Sequence, residues 1–212
     1  MLEKRRPASR PRTHAEINEF RRKALIEGTI RSLGEHGVAG TTVRSICQEA
    51  GSSRGLAGHY FPSKEHLVEA AFRYLLGGMR QRVEKAQSEA GDDPRAKLHR
   101  LVDVLFSSDL FTETIRNAFI TFWHEIRFNE LVREANREIY GDYKMRAQNL
   151  FAEAAGQRGI KLNPENAALG LVTMIDGHWL VVAVYENLTD DKRAAAVCHE
   201  YIDLQLGIRK EE

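Results

Sequence analysis

The sequence predicts an all-α protein with a short three-helix head followed by a larger helical body. Three observations carry this. Apolar residues recur at i, i+3, i+4 and i+7 almost throughout, and no stretch alternates apolar and polar residues with β-branched enrichment. Glycine, proline and asparagine punctuate the chain at helix-sized intervals. A content of 42% apolar and 29% charged residues over 212 positions supplies both a core and a solvated surface, which excludes a disordered or collagen-like chain.

The first helix is expected over 16–36, with Ile26, Thr29, Ile30 and Leu33 on one face and Gly37 as its stop. Thr42 caps a short second helix, whose Val43, Ile46, Cys47 and Ala50 share a face and which Gly51 ends. Ser53 caps a third, running through Leu56 to Tyr60, and Ser63 caps a fourth that extends to the mid-80s. Gly91 to Pro94 marks a loop. The body is expected as helices over 95–107, 112–128, 129–156, 164–187 and 190–206, with Pro164 at a first-turn position. The expected division is a basic arm over 1–15, a head over 16–62 and a body over 63–212.

Net charge is +1, but its distribution is uneven. Residues 1–60 hold eleven Lys/Arg against six acids, including Arg5, Arg6, Arg10 and Arg12 in the arm, while the remainder is net −4. A basic head on an acidic body points to a polyanion met by the head alone. Cys47 and Cys198 form no CxxC or Cys/His cluster, so neither a disulfide framework nor a metal site is expected. The basic, proline-punctuated start resembles no signal peptide, and the longest apolar run, 179–185, is far shorter than a membrane span of about 20 residues. A cytoplasmic protein without a membrane partner is expected. GxSxG, GxGxxG and GxxxxGK[ST] are absent, and His124-Glu125 lacks the second histidine of HExxH, so neither an enzyme nor a cofactor is expected.

Two short helices around Gly51, preceded by a helix with one apolar stripe, are able to place the last helix in a DNA major groove. The competing reading is an ordinary helical hairpin. Small Cys47 would let the two helices cross closely, and Gly51 would take the positive φ of the turn. In the body, the 164–187 helix gathers Gly170, Met174, Gly177 and Val181 on one side, a face that permits close approach of a partner subunit. Val172, Asp176, Trp179 and Ala183 gather nearly opposite. A buried Asp176 demands a partner, either an intramolecular arginine or backbone donor, or a cationic ligand. Phe119, Phe122 and Trp123 at i, i+3 and i+4 offer ring faces for such a cation, or simply pack in the core.

The run Thr41-Thr42-Val43-Arg44-Ser45-Ile46, then Glu49-Ala50-Gly51-Ser52-Ser53 and His59-Tyr60-Phe61, with Lys64 and Leu67, resembles the tetracycline-repressor family of transcriptional regulators. Ser52 departs from the valine common there. The resemblance implies that Ser53, Arg54, Gly55 and His59 face the groove of a double-stranded operator and that Thr42, Arg44, Tyr60 and Lys64 contact phosphates. His59 and Tyr60 have alternative readings as capping or core residues. The resemblance also assigns the last two helices to a homodimer interface, making Ala194, Cys198, Tyr201 and Ile202 the companion stripe of the glycine face. The segments 118–123 and 175–180, with Leu188, Asp191 and Lys192, are similar to the choline-responsive BetI subgroup. That similarity implies a repressor whose small-molecule effector is choline or a related cationic amine bound among Phe119, Phe122, Trp123, Asp176 and Trp179. A same-family repressor of an efflux or catabolic operon with another effector, and a helical dimerising adaptor without DNA binding, are the competing functions.

Overall fold

A computed structural model describes residues 13–185 and 188–208. Nine α-helices and no strand occur among them: α1 His14–Gly40, α2 Val43–Ala50, α3 Arg54–Tyr60, α4 Lys64–Glu89, α5 Pro94–Leu105, α6 Glu113–Phe128, α7 Glu130–Arg158, α8 Pro164–Val184 and α9 Asp191–Gln205. The arm residues Arg5, Arg6, Arg10 and Arg12 and the expected helix end at Asn187 lie outside the described residues.

Helix starts follow side-chain chemistry. Thr13 and Glu16 form a reciprocal capping box on α1, and Thr42 with Ser45 forms another on α2. Ser53, Asp93, Thr112, Asn163 and Asp190 accept the orphan amides of α3, α5, α6, α8 and α9, with Pro94 and Pro164 in first turns where no donor is lost. Gly37, at φ 62°, interrupts α1 where the stop was expected, and a short turn continues to Gly40. Gly51 takes the left-handed conformation (φ 59°, ψ 37°) that ends α2.

The chain forms two compact units. The first joins residues up to Leu76 with Thr112–Asn136, so that α6 packs with the head helices although it lies within the stretch expected to be body. Its core is built from Leu25, Leu33, Ile46, Phe61, Leu67 and Phe72 with Ala118 and Phe122 of α6. Backbone approaches backbone at two glycines. A Cβ on Gly28 would lie 2.9 Å from both the Cβ and the backbone nitrogen of Ala50, and one on Gly34 would overlap the carbonyl oxygen of Thr114 in the first turn of α6. Gly28 against Ala50 is thus the close approach of α1 to α2, and Cys47 is buried in the same unit. Thr121 of α6 donates to the Leu33 carbonyl of α1 at 3.2 Å, and Arg31 donates to the Glu49 carbonyl of α2 at 2.6 Å.

The second unit comprises Gly77–Phe111 with the described residues from Arg137 onward, and the chain passes between units inside α4 and α7 as well as at 111/112. Its core includes Leu98, Val102, Phe151, Leu171, Val172 and Ile175. Phe106, Phe111 and Trp179 form an edge-to-face chain with centroid spacings of 5.1 and 4.9 Å. Arg95 of α5 holds Asp203 of α9 through two donors at 2.7 and 2.8 Å, and His99 stacks on His199 at 4.5 Å. By length and composition α8 would pass for a membrane span, yet Ala168, Leu171, Val172, Ile175 and Trp179 face the interior of the unit.

Candidate functional site

In the first unit, α2, Gly51 and α3 form the helix-turn-helix. Arg54, Gly55, Gly58 and His59 are exposed along α3, as are Ser53 at its N-cap and Thr42 and Arg44 on α2. A Cβ added at Gly55 or Gly58 would meet nothing within 4 Å, so no packing inside the chain requires glycine there. Two bare positions on a seven-residue helix sacrifice about 1 kcal/mol each of helix propensity relative to alanine. What they leave is a smooth surface for close approach. The hydroxyls of Thr42 and Ser53 are occupied as caps, accepting from Ser45 at 3.1 Å and Leu56 at 3.2 Å. Tyr60 is half-buried, donates to Asn18 at 2.8 Å and meets His59 edge-on at 5.1 Å, which ties α3 to α1. The Lys64 ammonium donates to the Thr41 carbonyl at 3.2 Å, just before the Thr42 cap. Ser52 places a buried hydroxyl without a hydrogen-bond partner in the turn where valine was expected.

The residues expected to form a ligand site divide between the units. Phe119, Phe122 and Trp123 lie on α6 in the first, Asp176 and Trp179 on α8 in the second. Phe122 is fully buried and meets Phe72 (5.2 Å) and Phe119 (6.2 Å) edge-on, as a core aromatic does. Trp179 is likewise buried, edge-to-face with Phe111.

Asp176 is different. Its carboxylate is half-buried and desolvated, which raises its pKa, and Tyr140 of α7 donates to it at 2.9 Å and partly offsets that rise. This partner is neither the arginine nor the backbone donor expected. Tyr143, one turn along α7, presents its ring at 6.1 Å and 75° to that of Tyr140. Burial and the neighbouring Asp176 keep both phenols far above their ordinary pKa, so both remain hydrogen-bond donors. The sequence reading missed these two tyrosines. Their spacing on one face of α7 was visible, but 36 positions separate Tyr140 from Asp176. A carboxylate flanked by two aromatic hydroxyls and ring faces is chemically suited to a cation that carries alkyl surface.

The proposed dimer residues also separate. Ala194, Cys198 and Ile202 have no exposed surface within the single chain, and Tyr201 fills the notch at Gly170, where a Cβ would overlap its hydroxyl. Tyr201 also donates to the Ala167 carbonyl at 3.1 Å. A side chain already sealed by its own chain has no area left to give a partner, so this stripe packs within the unit, where α9 lies against α5 and α8. Gly177 alone of the glycine face is exposed with open space before it, while Gly170, Met174 and Val181 are half-buried. The exposed face of α8 is turned by one position and runs Leu169, Thr173, Gly177, Leu180 and Val184, with Val197 and Leu204 exposed on α9.

A cap-defined helix-turn-helix with a basic, glycine-smoothed third helix belongs to a DNA-binding transcriptional regulator rather than an enzyme. Residues 25–71 match the family of bacterial regulatory proteins of the tetR type, and residues 94–207 match the BetI-type transcriptional repressor C-terminal family. The chain is 34% identical over 197 residues to the HTH-type transcriptional regulator BetI of Burkholderia thailandensis, covering 91% of this chain and 97% of the relative. A crystal structure of a putative transcriptional regulator from Pseudomonas aeruginosa PAO1 is 27% identical with a TM-score of 0.79, covering 89% of this chain and 91% of that one. The fold is shared with a regulator from Saccharomonospora viridis crystallised in complex with choline, at 19% identity, a TM-score of 0.72, and coverage of 86% and 95%. The chain belongs to the tetR family of DNA-binding repressors, with a BetI-type C-terminal domain.

Proposed function

We propose that this repressor binds a near-palindromic duplex operator as a homodimer in the cytoplasm, and that a quaternary ammonium cation of the choline class, held at Asp176, changes its operator affinity. On the DNA side, Ser53, Arg54, Gly55 and His59 face the major groove, and Thr42, Arg44, Tyr60 and Lys64 contact or position contacts to phosphates. A single seven-residue recognition helix buries too little surface for useful specificity, and two-fold symmetry doubles it. The exposed apolar stripe from Leu169 to Val184 supports a second copy as the partner of α8.

The observation that carries the ligand reading is the Asp176 carboxylate held by Tyr140 beside the ring and hydroxyl of Tyr143. A trimethylammonium group donates no N–H bonds, so its recognition requires aromatic surface and a nearby anion, and this cluster has both. A relative that shares the fold was crystallised in complex with choline. Isothermal titration of choline tests it. Wild type should bind, and Asp176→Asn, which keeps the acceptor for Tyr140 but removes the charge, should bind at least about tenfold more weakly. No heat with wild type, or equal affinity in the variant, would refute the assignment.

A further inference from the structure

We infer that Tyr143 is the specificity-determining residue of the Asp176 site: its hydroxyl donates to a neutral hydroxyl oxygen on the ligand, so that the site prefers hydroxylated quaternary ammonium ions to their alkyl counterparts. This inference rests on the reading of Asp176 as the seat of a cation.

Two tyrosines one helical turn apart approach one carboxylate, but only one is used. Tyr140 gives its proton to Asp176. The Tyr143 hydroxyl is sealed from solvent and has no hydrogen-bond partner. A buried hydroxyl with an unused donor is destabilising, and such groups in folded proteins demand an explanation. Burial, Asp176, Tyr140 and Cys198 together hold the phenol in its protonated form, so it offers a donor under all ordinary conditions. The Cys198 thiol, pushed up to about 12 by burial, stays neutral and is a weak acceptor. A ligand therefore completes the site by bringing an acceptor oxygen. An anionic oxygen would lie beside the Asp176 charge in a desolvated setting and be repelled, which excludes a ligand carboxylate. A hydroxyl oxygen carries no such penalty. The cationic head then satisfies Asp176 and the hydroxyl tail satisfies Tyr143, beside the edge-to-face pair of Tyr140 and Tyr143 rings.

Calorimetry of the full chain with choline and with n-propyltrimethylammonium, which carries a methyl group in place of the hydroxyl, tests the inference. Wild type should prefer choline by about tenfold, the consequence of leaving one buried donor unpaired with the alkyl analogue. Tyr143→Phe should bring the ratio close to one by weakening choline while leaving the analogue unchanged. Asp176→Asn should weaken both ligands alike. Equal wild-type affinity for the two ligands overturns the inference without recourse to any variant, and so does a folded Tyr143→Phe protein that retains the preference. Failure of both ligands to bind wild type overturns the cation reading itself, and this inference with it.

Discussion

Gly28 of α1 lies against Ala50 of α2 with no space for a β-carbon: an added Cβ would be 2.9 Å from the Ala50 Cβ, 2.9 Å from its nitrogen and 3.0 Å from the Ile46 carbonyl. Two of those three atoms are backbone, so the strain has no flexible side chain to relax into. Gly28→Val should destabilise the protein by about 1–3 kcal/mol and tilt α2, weakening operator binding. Thermal denaturation and a DNA titration check this. A variant with wild-type melting would mean that the helices are not in this register.

Gly177 gives the opposite result for a physical reason. Its missing Cβ faces open space, so leucine there fits the single chain and even improves helix propensity by about 1 kcal/mol. Gly177→Leu should leave the helical circular dichroism intact while sedimentation shows a shift toward monomer. Dimerisation at wild-type affinity would remove this face of α8 from the interface.

On α3, Arg54 is exposed beside two bare glycines, whereas Lys64 is engaged with the Thr41 carbonyl. Arg54→Ala should relax specificity at particular base pairs by about 1–3 kcal/mol, while Lys64→Ala should weaken all duplexes alike and reduce the salt slope by about one. Competition titrations at several salt concentrations separate the two. Identical, sequence-independent losses would exclude Arg54 from base reading.

The α5–α9 seam makes a pH prediction. Burial, then the stacked His199, holds His99 below its ordinary value of 6.5, with Asp203 opposing and Arg95 reinforcing that shift. A folded-state pKa below the unfolded one means that the contribution is fully present above pH 6.5 and is lost as pH falls through the folded value. His178, lowered by burial, adds in the same direction. Asp203 is held below 3.8, chiefly by Arg95, so its contribution is lost only in a second, more acidic step. Melting temperatures from pH 8 to 3 should therefore fall in two stages, and His99→Gln should shrink the upper one. An unchanged upper stage would contradict this account of the seam.

Much of the helical framework was legible because helix ends are local chemistry. Thr42 and Ser53 declare themselves as caps within four residues, and the glycines at 37 and 51 mark where the backbone must leave the helix. Periodicity also identified the Ala194, Cys198 and Ile202 stripe, but a stripe does not say what it packs against, and here the answer is the chain itself. Gly28 reads in sequence only as a weak helix residue, since its reason is Ala50 across the crossing. Tyr140 and Tyr143 escaped notice because tyrosines on a helix face are common, and only the fold brings Asp176 to them. Phe122 was assigned to a ligand on aromatic spacing that core packing with Phe72 produces equally well.

The central claim is that occupancy of the Asp176 site alters DNA binding, which requires the ligand to prefer one of the two states. Fluorescence anisotropy on a duplex selected by this protein from a random pool, with and without saturating choline, measures that coupling directly. The account predicts a change in operator affinity of at least about fivefold for wild type, the lower end of ordinary allosteric coupling, reached for Asp176→Asn only at choline concentrations at least about tenfold higher. Superimposable wild-type isotherms in the presence and absence of choline would contradict it.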